Sequence, residues 1–347
     1  IDCLKALGAD ITAKEDKVYI KGITDIKASD ILRCNECGST LRFFIAICLL
    51  GKSEITLSGS TRLMERPLDI YEKMCKEQNL LFNKEDINLL KIKGPLKSGT
   101  YNIDGSVSSQ FISGLLFALP LLDGDSRIVI EGHLESKPYI NMTIKALKAF
   151  KVIAVWENDN TIFVKGNQSY EANDLSVEGD WSNAAFFLAL GDKVKVNGLD
   201  YNSLQGDKIC EEYYKKLSEG NVTLDISDCP DLGPVLFSYA GLHNGATFTG
   251  TNRLKIKESD RILSMKEELI KFGIDVIEGD NEVTITKTKL QKPKEVLESH
   301  NDHRITMALS TILVITGGSI DGAECISKSM PDFFEKLKKL GADVEII

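Results

Sequence analysis

One supersecondary pattern recurs six times in the chain, and that recurrence limits the fold more than any single motif. The pattern is an amphipathic helix end, a small turn, a strand, a polar turn and a second strand. It runs through residues 4–11 and 18–22, 74–82 and 89–94, 147–155 and 162–166, then through 214–224, 269–276 and 337–344. Anchored on Gly8, Asn79, Lys151, Ser218, Gly273 and Gly341, the intervals are 71, 72, 67, 55 and 68 residues. Solenoid repeats run to about 20–50 residues, so the longer period predicts units that each carry a small sheet with helices and pack as lobes. Between the anchors, helices at 39–50, 108–119, 181–190, 231–240 and 302–315 are apolar nearly all round and belong inside a lobe. The expected architecture is α/β, built from six units of one kind. A boundary near Gly179-Asp180 divides them into lobes 1–178 and 179–347.

The first copy opens in mid-helix at Ile1, without a methionine. The pattern therefore predicts that roughly fifty to seventy residues of a first unit stand upstream of it. Apolar stretches at 43–50 and 112–122 are too short or too interrupted to span a bilayer, and no basic segment leads into an apolar one at the start. The expectation is a cytoplasmic protein without a membrane partner. With 51 acidic residues against 42 Lys and Arg, a formal net charge of -9, the chain is not a general nucleic-acid binder, which needs a basic face. Eight cysteines are scattered, some in apolar contexts such as Ile47-Cys48-Leu49, and most are expected to be buried thiols. Cys34 and Cys37 form one CxxC, but no second pair or histidine cluster follows at zinc spacing, so no metal is expected.

Against this acidic background, Lys255-Ile-Lys-Glu-Ser-Asp-Arg261 and His300-Asn-Asp-His-Arg304 set cations beside acids and imidazoles. A guanidinium fork grips carboxylate or phosphate with two parallel hydrogen bonds, and a neighbouring acid or imidazole can move a proton. Either segment alone also reads as a solvated charged face. Gly38-Ser-Thr-Leu-Arg42 and Val107-Ser-Ser-Gln110 open apolar helices with small hydroxyl-bearing turns; Ser39 and Ser108 are caps by residue type and anion contacts by position. Arg66 stands before a helix-starting Pro67, and Ser136-Lys-Pro-Tyr139 precedes another helix, with Tyr139 half-buried. Asp231, after Cys229-Pro230, is a helix-mouth carboxylate, either a cap or a general base. Glu258 and Arg261, three apart, share a face if helical and then pair. His303 reads as a hydrogen-bonding neighbour rather than a metal ligand, and Lys328 as a surface lysine.

Taken in order, Gly38-Ser-Thr-Leu-Arg42, Glu65-Arg-Pro67, Ser108-Ser-Gln110, Ser136-Lys-Pro-Tyr139, Pro230-Asp231, Lys257-Glu-Ser-Asp-Arg261, Asn301-Asp-His-Arg304 and Ser327-Lys328 resemble the motif set of the EPSP synthase family, the 3-phosphoshikimate 1-carboxyvinyltransferases of the shikimate pathway to chorismate and the aromatic amino acids. The resemblance runs along the whole chain. It implies a two-lobed enolpyruvyl-transferase fold of six βαβαββ units, the first incomplete here, with the active site in the cleft between lobes. The implied partners are the small molecules phosphoenolpyruvate and shikimate 3-phosphate, with no metal or organic cofactor and a monomeric enzyme. By the same resemblance Gly38, Arg66, Gln110, Arg261, Arg304 and Lys328 face phosphoenolpyruvate. Ser108, Ser109, Gln110, Ser136, Tyr139, Asp231 and Lys257 hold shikimate phosphate, and Ser39, Arg42, Arg253 and His303 support them. Asp231 takes the proton of the attacking hydroxyl, and Glu258 exchanges one with the methylene carbon.

Two departures stand out: Arg253 occupies a position where some relatives carry Asn, and the family's opening Lys-Ser and following Arg have no counterpart. The second predicts little turnover from these residues alone. Two other readings stay open at this stage. The sister UDP-N-acetylglucosamine enolpyruvyl transferases share the architecture but use a loop Cys, which has no match here, and a non-catalytic fragment would bind shikimate phosphate without turning it over.

Overall fold

The structure is a computed structural model and describes residues 1–346, apart from the side chain of Glu85. Its helix ends explain the repeat. Five of the six anchors sit in left-handed backbone conformations: Gly8 (φ 99°), Asn79 (55°), Lys151 (62°), Gly273 (82°) and Gly341 (99°). In each, the anchor N–H returns to the carbonyl three residues back. The next N–H reaches five back, as in Ala9 to Leu4 (3.0 Å), Leu80 to Cys75 (2.8 Å), Val152 to Leu147 (3.0 Å), Ile274 to Leu269 (3.1 Å) and Ala342 to Leu337 (3.1 Å). This pair of bonds satisfies the orphan carbonyls of a helix end, and the apolar residue after each anchor is the usual companion of such a cap.

Ser218 is the exception. The helix Cys210–Glu219 runs past it and ends at Gly220, whose backbone is extended. The strand that follows, Val222–Asp225, is not half of a hairpin. It pairs in parallel with Ala246–Thr249 and opens the next sheet. With that hairpin skipped, the interval from Ser218 to Gly273 becomes the short one.

Three sheets share one topology. The first joins Leu32–Arg33, Ile55–Ser58, Leu89–Lys93 and Leu81–Asp86 in that spatial order. The second joins Thr100–Asp104, Ser126–Glu131, Thr161–Val164 and Ala154–Asn158, and the third Val222–Asp225, Ala246–Thr249, Glu282–Ile285 and Val276–Glu278. In each, the first two strands run parallel and are joined through a helix, while the last two form an antiparallel hairpin. A hairpin, Asp10–Lys14 with Lys17–Lys21, and a short parallel pair, Leu297–Glu298 with Ile320–Asp321, show parts of the same pattern.

The chain divides into two compact units, Ile1–Leu175 and Ser176–Ile347, where the sequence pattern set the break between 178 and 179. Each unit has its own core, with no residue shared between them. The all-round apolar helices do lie inside. Gly38–Cys48 and Ser109–Ala118 pack in the first core, Gly233–Leu242 and His303–Thr316 in the second. Among the described residues no helix is long and apolar enough to cross a membrane.

This topology decides where chemistry can sit. In a parallel βα arrangement the helix N-termini and the loops that follow the strands gather at one edge, the edge where ligands bind in open α/β sheets. Every candidate residue falls on such a strand-to-helix passage or on the first turns of its helix.

Candidate functional site

In the second unit the loop before the helix Arg261–Leu269, the start of the helix His303–Thr316 and the turn Pro230–Leu232 meet. Asp231 stands at their junction. Its carboxylate receives Lys257 Nζ at 3.1 Å, Arg261 Nη1 at 2.8 Å and Arg304 Nη2 at 3.2 Å. Burial alone pushes this carboxyl up, but Arg304, Lys257 and Arg261 together outweigh burial and hold it well below the usual carboxylate range. It caps no helix, so the cap reading of Asp231 gives way to a three-cation contact.

Arg261 is the mirror image of Asp231. It is 1% exposed, and three carboxylates share its guanidinium: Nη1 with Asp231, Nη2 with Glu258 at 2.7 Å, and Nε with Asp302 at 2.9 Å. Burial works against its charge, and the three acids more than offset that, so it stays protonated at any working pH. A cation at the first position of a helix lies on the wrong side of the helix dipole, and these carboxylates are what make the placement tolerable. Glu258 does pair with Arg261, but from the loop before the helix rather than from one helical face.

Asp302 is fully buried. Its carboxylate accepts from Ser259 Oγ (3.1 Å), Arg261 and the Arg304 N–H (2.9 Å), so one side chain caps a helix and fixes the guanidinium of another. Arg304 donates to Ser182 Oγ at 2.6 Å besides its contact with Asp231. His303 is buried, and its Nδ1 makes no hydrogen bond, contrary to the expected role of a bonding neighbour. Burial, seconded by Arg304, pushes its imidazole down to about 4, so it is neutral at pH 7. Burial likewise pushes the Lys257 ammonium down to about 8, against the pull of Asp231, with Arg253 and Arg261 adding to the fall. The hydrogen-bonded cluster balances three carboxylates against three cations, and buried Arg253 adds a further positive charge. Lys328 is exposed and donates to Asn301 O and Oδ1, both at 2.7 Å.

In the first unit the helix Gly38–Cys48 starts beneath two guanidinium groups. A β-carbon placed on Gly38 would lie 2.7 Å from Arg66 Nη1 and 3.2 Å from Arg42 Nη1. Two like charges and a helix N-terminus at one point favour an anion there. Arg42 donates to Gln110 Oε1 at 2.7 Å, and Gln110 Nε2 donates to Ser39 Oγ at 2.9 Å, so the first turns of Gly38–Cys48 and Ser109–Ala118 are laced together. The helix is capped by Cys37, whose Sγ accepts from the Thr40 N–H, and not by Ser39. Ser108 does cap its helix. After Arg66 the helix begins at Asp69 rather than at Pro67.

Ser136, 1% exposed, precedes the helix Lys137–Ala149 in a left-handed conformation, φ 58°. Tyr139 is half-buried on that helix's first turn. Among the cysteines Cys37 alone is exposed, and the described residues hold no cluster fit to ligate a metal.

Asp302, Ser182 and Asn301 went unassigned in the sequence. Asp302 was legible as a cap, since it precedes an apolar helix. Nothing local reveals that Asp302 reaches Arg261 across 41 residues, or that Ser182 reaches Arg304 across 122.

The EPSP synthase (3-phosphoshikimate 1-carboxyvinyltransferase) family model matches residues 1–337. The 3-phosphoshikimate 1-carboxyvinyltransferase of Clostridium beijerinckii is 40% identical over 373 residues, covering 98% of this chain and 86% of that protein. Its namesake from Clostridium kluyveri is 40% identical over 375 residues, with 99% and 86% covered. The solved EPSP synthase of Acinetobacter baumannii superposes with a TM-score of 0.77 over 99% of this chain and 87% of that one; at 21% identity this likeness concerns the fold. The fold, the ordered motifs and the near-complete coverage agree, and the chain belongs to the EPSP synthase family.

Proposed function

We propose that the chain transfers the enolpyruvyl group of phosphoenolpyruvate to the 5-hydroxyl of shikimate 3-phosphate and releases inorganic phosphate. The observation that carries this reading is the meeting of Asp231, Lys257, Glu258, Arg261 and Arg304 in one hydrogen-bonded cluster of a chain from this family. In the first unit Gly38, Arg66 and Gln110 contact phosphoenolpyruvate, and Ser108, Ser109, Gln110, Ser136 and Tyr139 contact shikimate phosphate. In the second unit Arg261, Arg304 and Lys328 serve the former ligand, Asp231 and Lys257 the latter.

The reaction is an addition followed by an elimination. The 5-oxygen bonds to C2 of the enol, its proton passes to Asp231, and C3 takes a proton from Glu258, which enters this step as the carboxylic acid. Glu258 then recovers a proton from the new methyl group, the bond from C2 to the phosphate oxygen breaks, and phosphate leaves with the electron pair and takes the proton that Asp231 had accepted. Fixed cations neutralise charge that grows on the leaving oxygens. Arg304 and Lys257 contact Asp231 directly, so an anion that takes up either one withdraws it from the carboxylate. Substrate binding thereby raises the strength of the base. Two carboxylates in different surroundings divide the proton transfers.

Phosphate release should require both substrates and should not occur with UDP-N-acetylglucosamine as acceptor. Release with the nucleotide sugar and none with shikimate 3-phosphate would replace this reading by that of the sister transferases. Binding of both substrates without release would leave the chain a binder alone.

A further inference from the structure

The helix Arg261–Leu269 grips the loop at 299–302 at two places seven residues apart, hence on one face two turns apart. At its start Arg261 holds Asp302. At its end Glu268, 1% exposed, accepts the Glu298 N–H at 2.9 Å, His300 Nε2 at 3.2 Å and Lys271 Nζ at 3.0 and 2.9 Å. A carboxylate only accepts, so Nε2 of His300 carries the proton. Glu267 also faces the ring, at 3.8 Å.

Between the two grips the backbone is left-handed twice in succession, with φ 52° at both His300 and Asn301. Residues with side chains adopt that region rarely, and they stay in it when the surroundings hold them there. The result of the turn is specific. Asn301 presents its carbonyl and its amide oxygen to one ammonium, Lys328 Nζ, at 2.7 Å each. Neither Glu268 nor His300 takes part in the chemistry described above.

We propose that the Glu268–His300 contact is a positioning device for Lys328. The buried carboxylate pins the imidazole, the pinned residue keeps the left-handed turn, and the turn sets the two oxygens that aim the lysine at phosphoenolpyruvate. This inference rests on the assignment of Lys328 to that ligand.

His300→Gly removes the ring yet favours the same backbone, so the fold is kept and its melting temperature is the control. The Michaelis constant for phosphoenolpyruvate should rise about ten-fold with that for shikimate 3-phosphate nearly unchanged, because a small displacement of one binding group is felt mainly by its own ligand. His300→Gln, able to donate to Glu268, should recover part of the loss, and Glu268→Gln should copy it in milder form. In a Lys328→Ala background His300→Gly should add nothing.

Acylation by acetic anhydride, read by mass spectrometry, should increase several-fold at Lys328 in His300→Gly and stay constant at Lys336. Equal changes for both substrates, an effect that persists without Lys328, or unaltered labelling of Lys328 would overturn the positioning. If Lys328→Ala leaves phosphoenolpyruvate binding normal, the ligand assignment falls and the proposal with it, and the labelling shows whether the contact still holds the lysine.

Discussion

At Gly38 the absence of a side chain is what lets Arg66 and Arg42 close over a helix start. Gly38→Ala sets a methyl carbon 2.7 Å from Arg66 Nη1, and relief requires the guanidinium to swing out with whatever anion it holds. Steady-state kinetics should show a weaker hold on phosphoenolpyruvate, with a compact mimic such as glyphosate excluded more strongly still. Unchanged inhibition would mean that the pocket lies elsewhere. At Asp231, the change to Asn keeps shape and removes basicity, so turnover should fall by roughly two to four orders of magnitude with binding of both substrates nearly kept. A turnover number within a few-fold of the parent would remove Asp231 as the base. Lys257 gives a pH signature. Its ammonium is charged below about 8 and neutral above, so kcat/KM for shikimate 3-phosphate should fall as pH rises through about 8. Lys257→Arg, which keeps its charge, should abolish that limb.

At the scale of elements, helix ends carry most of the legible information. Lys151 holds a left-handed conformation that costs a residue with a β-carbon roughly 1–2 kcal/mol, whereas glycine adopts it freely. Lys151→Gly should therefore stabilise the first unit by up to about 1 kcal/mol, once the greater freedom of the unfolded glycine is counted. Gly273→Ala should destabilise the second by at least that much, since a β-carbon there also meets Gln291 Nε2 at 2.9 Å. Chemical denaturation of the two variants checks both signs. Helix starts tell a second story. Arg261 and Arg304 occupy first-turn positions where the helix dipole disfavours cations. Local preference is broken there, as the proposed anion-binding role of these cations requires, and this conflict is readable without coordinates.

For the whole molecule, two separate cores mean that damage in one unit need not spread to the other. Asp302→Ala takes a buried carboxylate from a buried guanidinium, a loss of about 3 kcal/mol or more. Hydrogen exchange should rise in Ser176–Ile347 and stay as it was in Ile1–Leu175. Burial raises the Asp302 carboxyl, but Arg261, His303 and the hydrogen bond from the Arg304 N–H together outweigh burial, so its pKa is depressed in the fold. Its contribution is present above the ordinary carboxylate value of about 4 and fades as pH falls through the depressed value. The variant should accordingly show a shallower loss of stability on acidification.

The sequence by itself determined the repeat, the α/β class and the ordered motifs, because helix termination and apolar periodicity are local properties that each copy states again. Five left-handed anchors, from Gly8 to Gly341, were visible as small or polar residues after amphipathic runs. The skipped hairpin after Ser218 was not visible, because Val222–Asp225 has the composition of any strand and its partner is chosen by packing. The same limit applied to the site. Residue type and spacing pointed to Asp231, Glu258, Arg261 and Arg304. That Asp231 collects three cations, that Arg261 is shared by three acids, and that Glu268 reaches His300 were decided only in three dimensions. Those contacts join residues tens of positions apart, and their energies arise from burial, which no local stretch of sequence records.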